Sequence, residues 1–369
     1  MRPLPNDRVY NFSAGPAMLP DPVMLQIREE FLNFSGLGAS IIEISHRSKE
    51  FDGVVEQAIA LFRELTGLPE NYHVLFVHGG GRMQFSSVPM NLLGGAKKKA
   101  LYVETDTFSS EAINDAAAYG EVKVIASGKK DGFSKLPAVT RDLVDQDAAY
   151  LHITTNNTTS GTAWRNFPGA DVRGDVPLVG DSTSEILSRV VDYSNFGVVF
   201  AGLQKNLGPS VTALVIIRKD LCGKAQKITP PLLNYATLAE KNSMLNTPST
   251  FNIYVAKLVM EWIKKEGGLA EIERRNNAKI KTVYDVIDAS KFYTGVVQPA
   301  HRSHMNATFR LPSEELTAKF LKEANQQSLY ALMGYRTIGG IRASMYNAMP
   351  LSGAQALASF MKEFERVNG

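Results

Sequence analysis

The chain has 369 residues, of which 44% are hydrophobic and 21% charged, with a formal net charge of +3. That balance describes a globular protein long enough for two domains and gives no reason to expect nucleic acid. A lone cysteine, Cys222, excludes an intrachain disulfide framework and a Cys-based zinc site; residues 1–7 lack an apolar signal core, and no stretch reaches the ~20 apolar residues of a bilayer span, so a cytoplasmic protein with no membrane partner is expected.

Residues 1–20 are rich in Pro, Gly and Asn, and Asn11-Phe12-Ser13-Ala14-Gly15-Pro16 reads as an extended arm ending in a turn. A helix follows Pro22. Ile41–Ile44 then delivers His46 and Arg47 into a loop, where a plain surface pair is the simpler reading. Asp52 is placed to cap a helix with Val55, Ile59 and Phe62 on one face, ended by Gly67 and Pro69.

The pattern then changes. The strand Val74–Val77 runs into Gly79-Gly80-Gly81, and Arg82-Met83-Gln84-Phe85 opens a helix. Glycines let a ligand approach the backbone, and first-turn N–H groups point at negative charge, so this reads as an anion site or as a plain turn. Strands at 100–103, 122–125, 148–153, 177–180, 198–203 and 213–217 follow, with a helix over about 110–119. They are continuously apolar rather than alternating, which indicates a largely parallel sheet buried on both faces. The basic run Lys97-Lys98-Lys99 is a solvated loop between a helix and a strand.

Polar residues collect just past these strands: Gly79–Arg82, Phe108, Thr158, Asp181 and Lys205. Open α/β sheets bind ligands at that edge. Asp181 alone reads as a helix cap for Ser182 onwards, the commoner role. Lys205 ends the apolar run Val198–Leu203. Such a lysine either snorkels to water or, if buried, has a depressed pKa and forms imines with carbonyl compounds.

Beyond the sheet, Leu232–Ser243 is expected to be irregular and 244–250 a loop. A long apolar helix spans 251–265 and stops at Gly267-Gly268. A charged helix at 269–287, a strand at 305–310, a helix at 313–326, the Gly334–Ser344 stretch and a last helix at 352–367 follow. The change of character near 266 divides the chain into a large domain, 17–265, and a small one made of 1–16 with 266–369.

The ordered set Asn11–Pro20, Ser45-His46-Arg47, Val74–Gln84, Asp181, Ile186–Arg189, Ala201–Pro209, Met244–Pro248 and Arg342–Pro350 resembles the phosphoserine aminotransferases, class V pyridoxal-phosphate enzymes of fold type I. The resemblance covers nearly the whole chain. It implies an α/β fold in which a large domain holds a mostly parallel seven-stranded sheet between helices, beside a smaller α/β C-terminal domain.

Further roles are implied by the same resemblance. Lys205 would carry pyridoxal 5'-phosphate and shuttle the proton, and Asp181 would pair with the pyridine nitrogen. Gly81 and Arg82 would hold the phosphate through backbone N–H groups, supported by Thr158 and Gln204, while Phe108 stands where relatives stack a tryptophan on the ring. The resemblance further implies a homodimer in which Asn246 and Thr247 reach the phosphate from the other subunit. Arg342 would take the α-carboxylate. His46, Arg47 and Arg336 would take the distal phosphate or carboxylate, with His46 and Arg47 again from the partner. Tyr335 replaces a histidine of relatives and is given no role.

The implied reaction exchanges an amino group between glutamate and 3-phosphohydroxypyruvate, giving O-phosphoserine and 2-oxoglutarate. The 4-phosphohydroxythreonine step of pyridoxine synthesis is a second expected substrate pair. An alanine–glyoxylate transaminase is the alternative within class V. Cys222 lies just past a strand and not in a mobile loop, which speaks against a desulfurase.

Overall fold

A computed structural model describes residues 8–336 and 338–369, leaving Thr337 of the Gly334–Ser344 stretch outside the described residues. Its centre is a seven-stranded sheet of β1 (Tyr72–His78), β2 (Lys99–Glu104), β3 (Glu121–Ser127), β4 (Tyr150–Thr154), β5 (Leu178–Asp181), β6 (Val198–Gly202) and β7 (Thr212–Arg218). The spatial order is β1-β7-β6-β5-β4-β2-β3, and β7 runs antiparallel to both its neighbours. The remaining pairs are parallel, so β1, β2, β4, β5 and β6 all end at one edge.

Burial explains the unbroken apolar runs. Every residue of β4, β5 and β6 is buried, because helices cover both faces. The edge strand β3 is the exception, mostly exposed and carrying Glu121 and Lys123, charges that discourage pairing with another sheet. One face packs on α2 (Lys49–Thr66) and α5 (Thr250–Lys265), the other on α3 (Gly80–Leu92) and α4 (Thr107–Ala116).

A separate apolar core gathers α6 (Gly268–Ala289), β8 (Asn306–Arg310), α7 (Glu314–Gln326), β9 (Ile341–Ser344) and α8 (Leu351–Asn368) around Phe309, Phe320 and Phe360. Tyr10, Phe12 and Met18 of the N-terminal arm belong to it. The start of α6 does not: Leu269 and Ile272 pack with the large core, and Ile280 and Val283 with the small one.

Several elements differ from the sequence reading. The helix α2 starts at Lys49, capped by Ser48 and not Asp52, because buried Phe51 and Val54 extend its apolar face by a turn. Asp52 falls in the first turn, where its charge suits the helix dipole. The helix α4 begins at Thr107, capped by Asp106, so Phe108 sits in its first turn. Within 232–243 a short helix, Tyr235–Glu240, forms where Asn234 caps it and Tyr235 and Leu238 are buried. The arm is not merely extended: Tyr10–Asn11 pairs in parallel with Leu329–Tyr330, too short a strand to show periodicity.

Candidate active site

The parallel strands bring their C-terminal loops to a single cavity of about 290 Å³. Gly81, Arg82, Phe108, Thr158, Asp181, Gln204, Lys205 and Arg342 all line it, so most of the expected site residues meet there.

Lys205 follows β6 and is 8% exposed. Its Nζ donates to Thr158 Oγ1 at 2.5 Å and stands 5.7 Å from the centre of the Phe108 ring. Burial pulls its pKa down to about 8, a shift opposed by the negative charges of Asp181 and Asp106. It is therefore a buried lysine, not a snorkelling one.

Asp181 is the last residue of β5, in register with Thr154 of β4 and Phe200 of β6, so the sheet itself fixes its position. Its Oδ1 accepts the Thr183 amide at 3.0 Å. Burial raises its pKa, while the Thr183 hydrogen bonds and the Lys205 charge work against that rise. A carboxylate buried this way favours a cationic partner.

The glycine run turns the chain from β1 into α3. Gly79 caps α3 with φ +82°, a left-handed conformation that favours glycine, and the Gly80 amide donates to the Val211 carbonyl. The next amides, those of Gly81 and Arg82, belong to a first helical turn, whose N–H groups have no helical carbonyl to bond. A Cβ at Gly81 would lie 2.8 Å from Thr183 Oγ1 and 3.3 Å from the Gly202 nitrogen, so the loop is packed as closely as a bare backbone permits. The Arg82 side chain pairs with Glu111 at 3.1 Å and Asp115 at 3.2 Å, which leaves its backbone amide as the group available to an anion.

The lining holds buried polar atoms with no protein partner: Gln204 Oε1, Arg342 Nε and Thr154 Oγ1. Such atoms are costly unless a ligand or water satisfies them. Together with an aromatic face, a buried lysine, a buried carboxylate and a helix start, they fit a flat, anionic, nitrogen-containing cofactor.

Other expected residues lie elsewhere. Asn246 Oδ1 is 2.9 Å from His78 Nε2, Thr247 and Arg47 are exposed, and half-buried His46 has an unpartnered Nε2. None of them lines the cavity. The two loops that carry them are tied to each other by Thr250 Oγ1, which donates to the Ile41 carbonyl at 2.8 Å. Arg336 is exposed and off the lining, whereas its neighbour Tyr335 lies on it, with its ring 6.2 Å from that of Phe108.

Sequence reasoning did not single out Ala14, Gly15, Phe85, Asn156, Thr183 or Ser184, which also line the cavity. The polar run after β4, Thr154–Gly161, was the available signal for Asn156. For Ala14 and Gly15 the signal was their place in the Asn11–Pro20 segment of the resemblance, whereas local pattern is silent because their place depends on the arm crossing to Tyr346, whose hydroxyl donates to the Ala14 carbonyl at 3.0 Å.

A parallel sheet with a lysine and a carboxylate at its C-terminal edge defines a class, and residues 9–357 match the family model described as Aminotransferase class-V; the chain belongs to that family. More particularly, its relatives are phosphoserine aminotransferases. That of Bacillus cereus is 48% identical over 362 residues, 98% of this chain and 99% of the relative. The structure of the Bacillus circulans subsp. alkalophilus phosphoserine aminotransferase superposes with a TM-score of 0.94 at 42% identity, covering 99% of this chain and 100% of that one. A structure describing radiation damage of the Schiff base in a phosphoserine aminotransferase matches with a TM-score of 0.93 at 42% identity, covering 98% of this chain and 99% of that one.

Proposed function

We propose that the chain catalyses amino transfer between glutamate and 3-phosphohydroxypyruvate, giving O-phosphoserine and 2-oxoglutarate, with pyridoxal 5'-phosphate held in the cavity described above. The observation that carries this reading is the convergence of buried Lys205, buried Asp181, Phe108 and the Gly81 turn on one cavity, in a chain nearly half identical to phosphoserine aminotransferases.

When bound, the cofactor supplies an electrophilic carbonyl and an electron-withdrawing ring. The chain's own groups do the rest. The Lys205 amine would hold the group covalently and, once freed, would carry the proton taken from the substrate α-carbon, a task its lowered pKa suits. Asp181 would offer its carboxylate to the ring nitrogen, and Phe108 would supply an aromatic face for the ring. The Gly81 and Arg82 amides would hold the phosphate, supported by Thr158 and Gln204. Arg342 offers its unpartnered Nε to the α-carboxylate.

The distal phosphate falls to His46, Arg47 and Arg336. His46, Arg47, Asn246 and Thr247 act from a second copy of the chain, a reading supported by their joined loops and by their absence from the cavity of their own subunit. In this reading residues 17–265 form the cofactor-holding domain, and the arm up to residue 16 with 266–369 forms the smaller one, a division supported by the two separate apolar cores except at its edges, where Met18 packs with the small core and Leu269 and Ile272 with the large. The 4-phosphohydroxythreonine pair is a second substrate set with the same distal group. No helix among the described residues is long and apolar enough to cross a membrane, and with one free thiol the protein suits a reducing cytoplasm.

Half-reaction spectroscopy tests the proposal. Glutamate alone should bleach the visible band of the lysine-linked cofactor, and phosphohydroxypyruvate should restore it. If neither phosphorylated keto acid accepts an amino group, the assignment is lost. Gly81→Ala should weaken cofactor binding by roughly tenfold or more, because the added Cβ crowds Thr183 Oγ1 and the Gly202 nitrogen and so displaces the turn whose amides would meet the phosphate; equilibrium dialysis reads this directly. Arg47→Ala and Arg336→Ala should raise KM for phosphorylated substrates by roughly tenfold or more and affect unphosphorylated ones less. Equal effects would remove those arginines from the distal site.

A further inference from the structure

Asp106 has no part in the roles above, although it is fully buried between β2 and α4. Its Oδ1 accepts the amides of Phe108 at 2.9 Å and Ser109 at 3.2 Å, and its own amide donates to Ser109 Oγ at 2.9 Å. A helix cap needs only that one acceptor oxygen, which serine or threonine supplies without burying an ionisable group. The second oxygen does something else: Oδ2 accepts the Thr159 hydroxyl at 2.9 Å, from the loop after β4. Thr158, one residue earlier, holds Lys205 Nζ. A parallel tie joins the same two loops, Thr105 Oγ1 donating to Asn157 Oδ1 at 2.8 Å.

We propose that Asp106 is a positioning residue for the transamination, joining the helix end that presents Phe108 to the turn that presents Thr158, so that the aromatic plate and Lys205 keep one relative geometry. The inference rests on the reading of Lys205 and Phe108 given above. It extends that reading to a residue that acts through both and touches neither substrate nor cofactor. Without the Asp106–Thr159 tie, the cap survives but the Thr105–Asn157 bond is left to hold the two loops, which then shift more easily against each other and register the ring seat on Phe108 less firmly with the lysine.

The test uses the holoenzyme loaded with pyridoxal 5'-phosphate and compares Asp106→Ala, Asp106→Asn and Thr159→Val. Thr159→Val removes the hydroxyl half of the cross-tie and leaves the cap and the Thr159 backbone contact to Asp106, so it stays informative if Asp106→Ala fails to fold. The expected result is a lower visible circular dichroism per bound cofactor and cofactor release accelerated by roughly tenfold in Asp106→Ala and Thr159→Val. Asp106→Asn should restore most of the signal, since its amide keeps an acceptor for the cap and a polar partner for Thr159. Wild-type dichroism and release in both Thr159→Val and Asp106→Ala would overturn the proposal and leave Asp106 as a helix cap only, even if Asp106→Ala melted early. A wild-type protein with no lysine-linked band would overturn the reading of Lys205 itself, and this proposal with it.

Discussion

Lys205→Ala is expected to lower kcat by more than about 10⁴-fold, since the variant loses both the covalent link and the proton shuttle. Lys205→Arg should be as inactive: it keeps a positive charge, but a guanidinium neither forms the link nor gives up a proton near neutrality. Lys205→Met separates chemistry from folding, because it keeps the apolar stem and removes only the amine. Burial sets the native pKa near 8, against an ordinary lysine value of 10.5. Between those values the unfolded chain binds more protons, so the stability of the cofactor-free protein rises with pH through that window. The contribution is complete above about 10.5 and lost as pH falls through about 8, amounting to roughly 3 kcal/mol over the span. Lys205→Met should abolish this slope and melt above the wild type at pH 7 while remaining inactive. Residual turnover near the wild-type rate in any of the three variants would show that another group carries the chemistry.

The sheet was legible because burial on both faces leaves β4, β5 and β6 with unbroken apolar sequence, and a polar residue that ends such a run stands out. Lys205, Asp181 and the Gly79–Arg82 turn were found in that way. Phe108 and Thr158 also lie past strands, but their mutual relation passes through Asp106 and Thr159, 53 positions apart, and no periodicity records such a contact. The start of α4 was misplaced for a related reason: its first turn is held by the Asp106 cap and carries no apolar stripe. Arg342 and Ala14 come from opposite ends of the chain and meet only because the N-terminal arm packs into the C-terminal core. Tyr335 was passed over because a resemblance can only assign roles to residues it retains, yet its ring shares the cavity wall with Phe108. Asn246 and Arg47, proposed above to act from a second copy, look like ordinary loop residues because that is how they are placed in this chain.

Asp181→Asn is expected to lower kcat/KM by roughly 10²–10³-fold, the scale of a lost buried charge–charge contact of about 3–5 kcal/mol. The substitution keeps volume, and its carbonyl oxygen still accepts the Thr183 amide, so the end of β5 stays in register with Thr154 and Phe200. What disappears is the negative charge, in a place where burial has already made that charge costly and therefore dependent on a cation. Two consequences follow from one change. The ring nitrogen loses the carboxylate that favours its protonated form, so electron withdrawal from the substrate α-carbon weakens. Lys205 also loses the largest of the charges that offset its burial, so its pKa should move below about 8, since removing a nearby anion disfavours the ammonium. Steady-state rates read the first effect, and the pH dependence of Lys205 acylation in the cofactor-free protein reads the second. A variant with lowered kcat/KM and an unshifted lysine would place Asp181 at the ring alone. A shifted lysine with rates within a few-fold of wild type would instead make Asp181 the lysine's counter-ion, and would transfer the electron-sink role to another group.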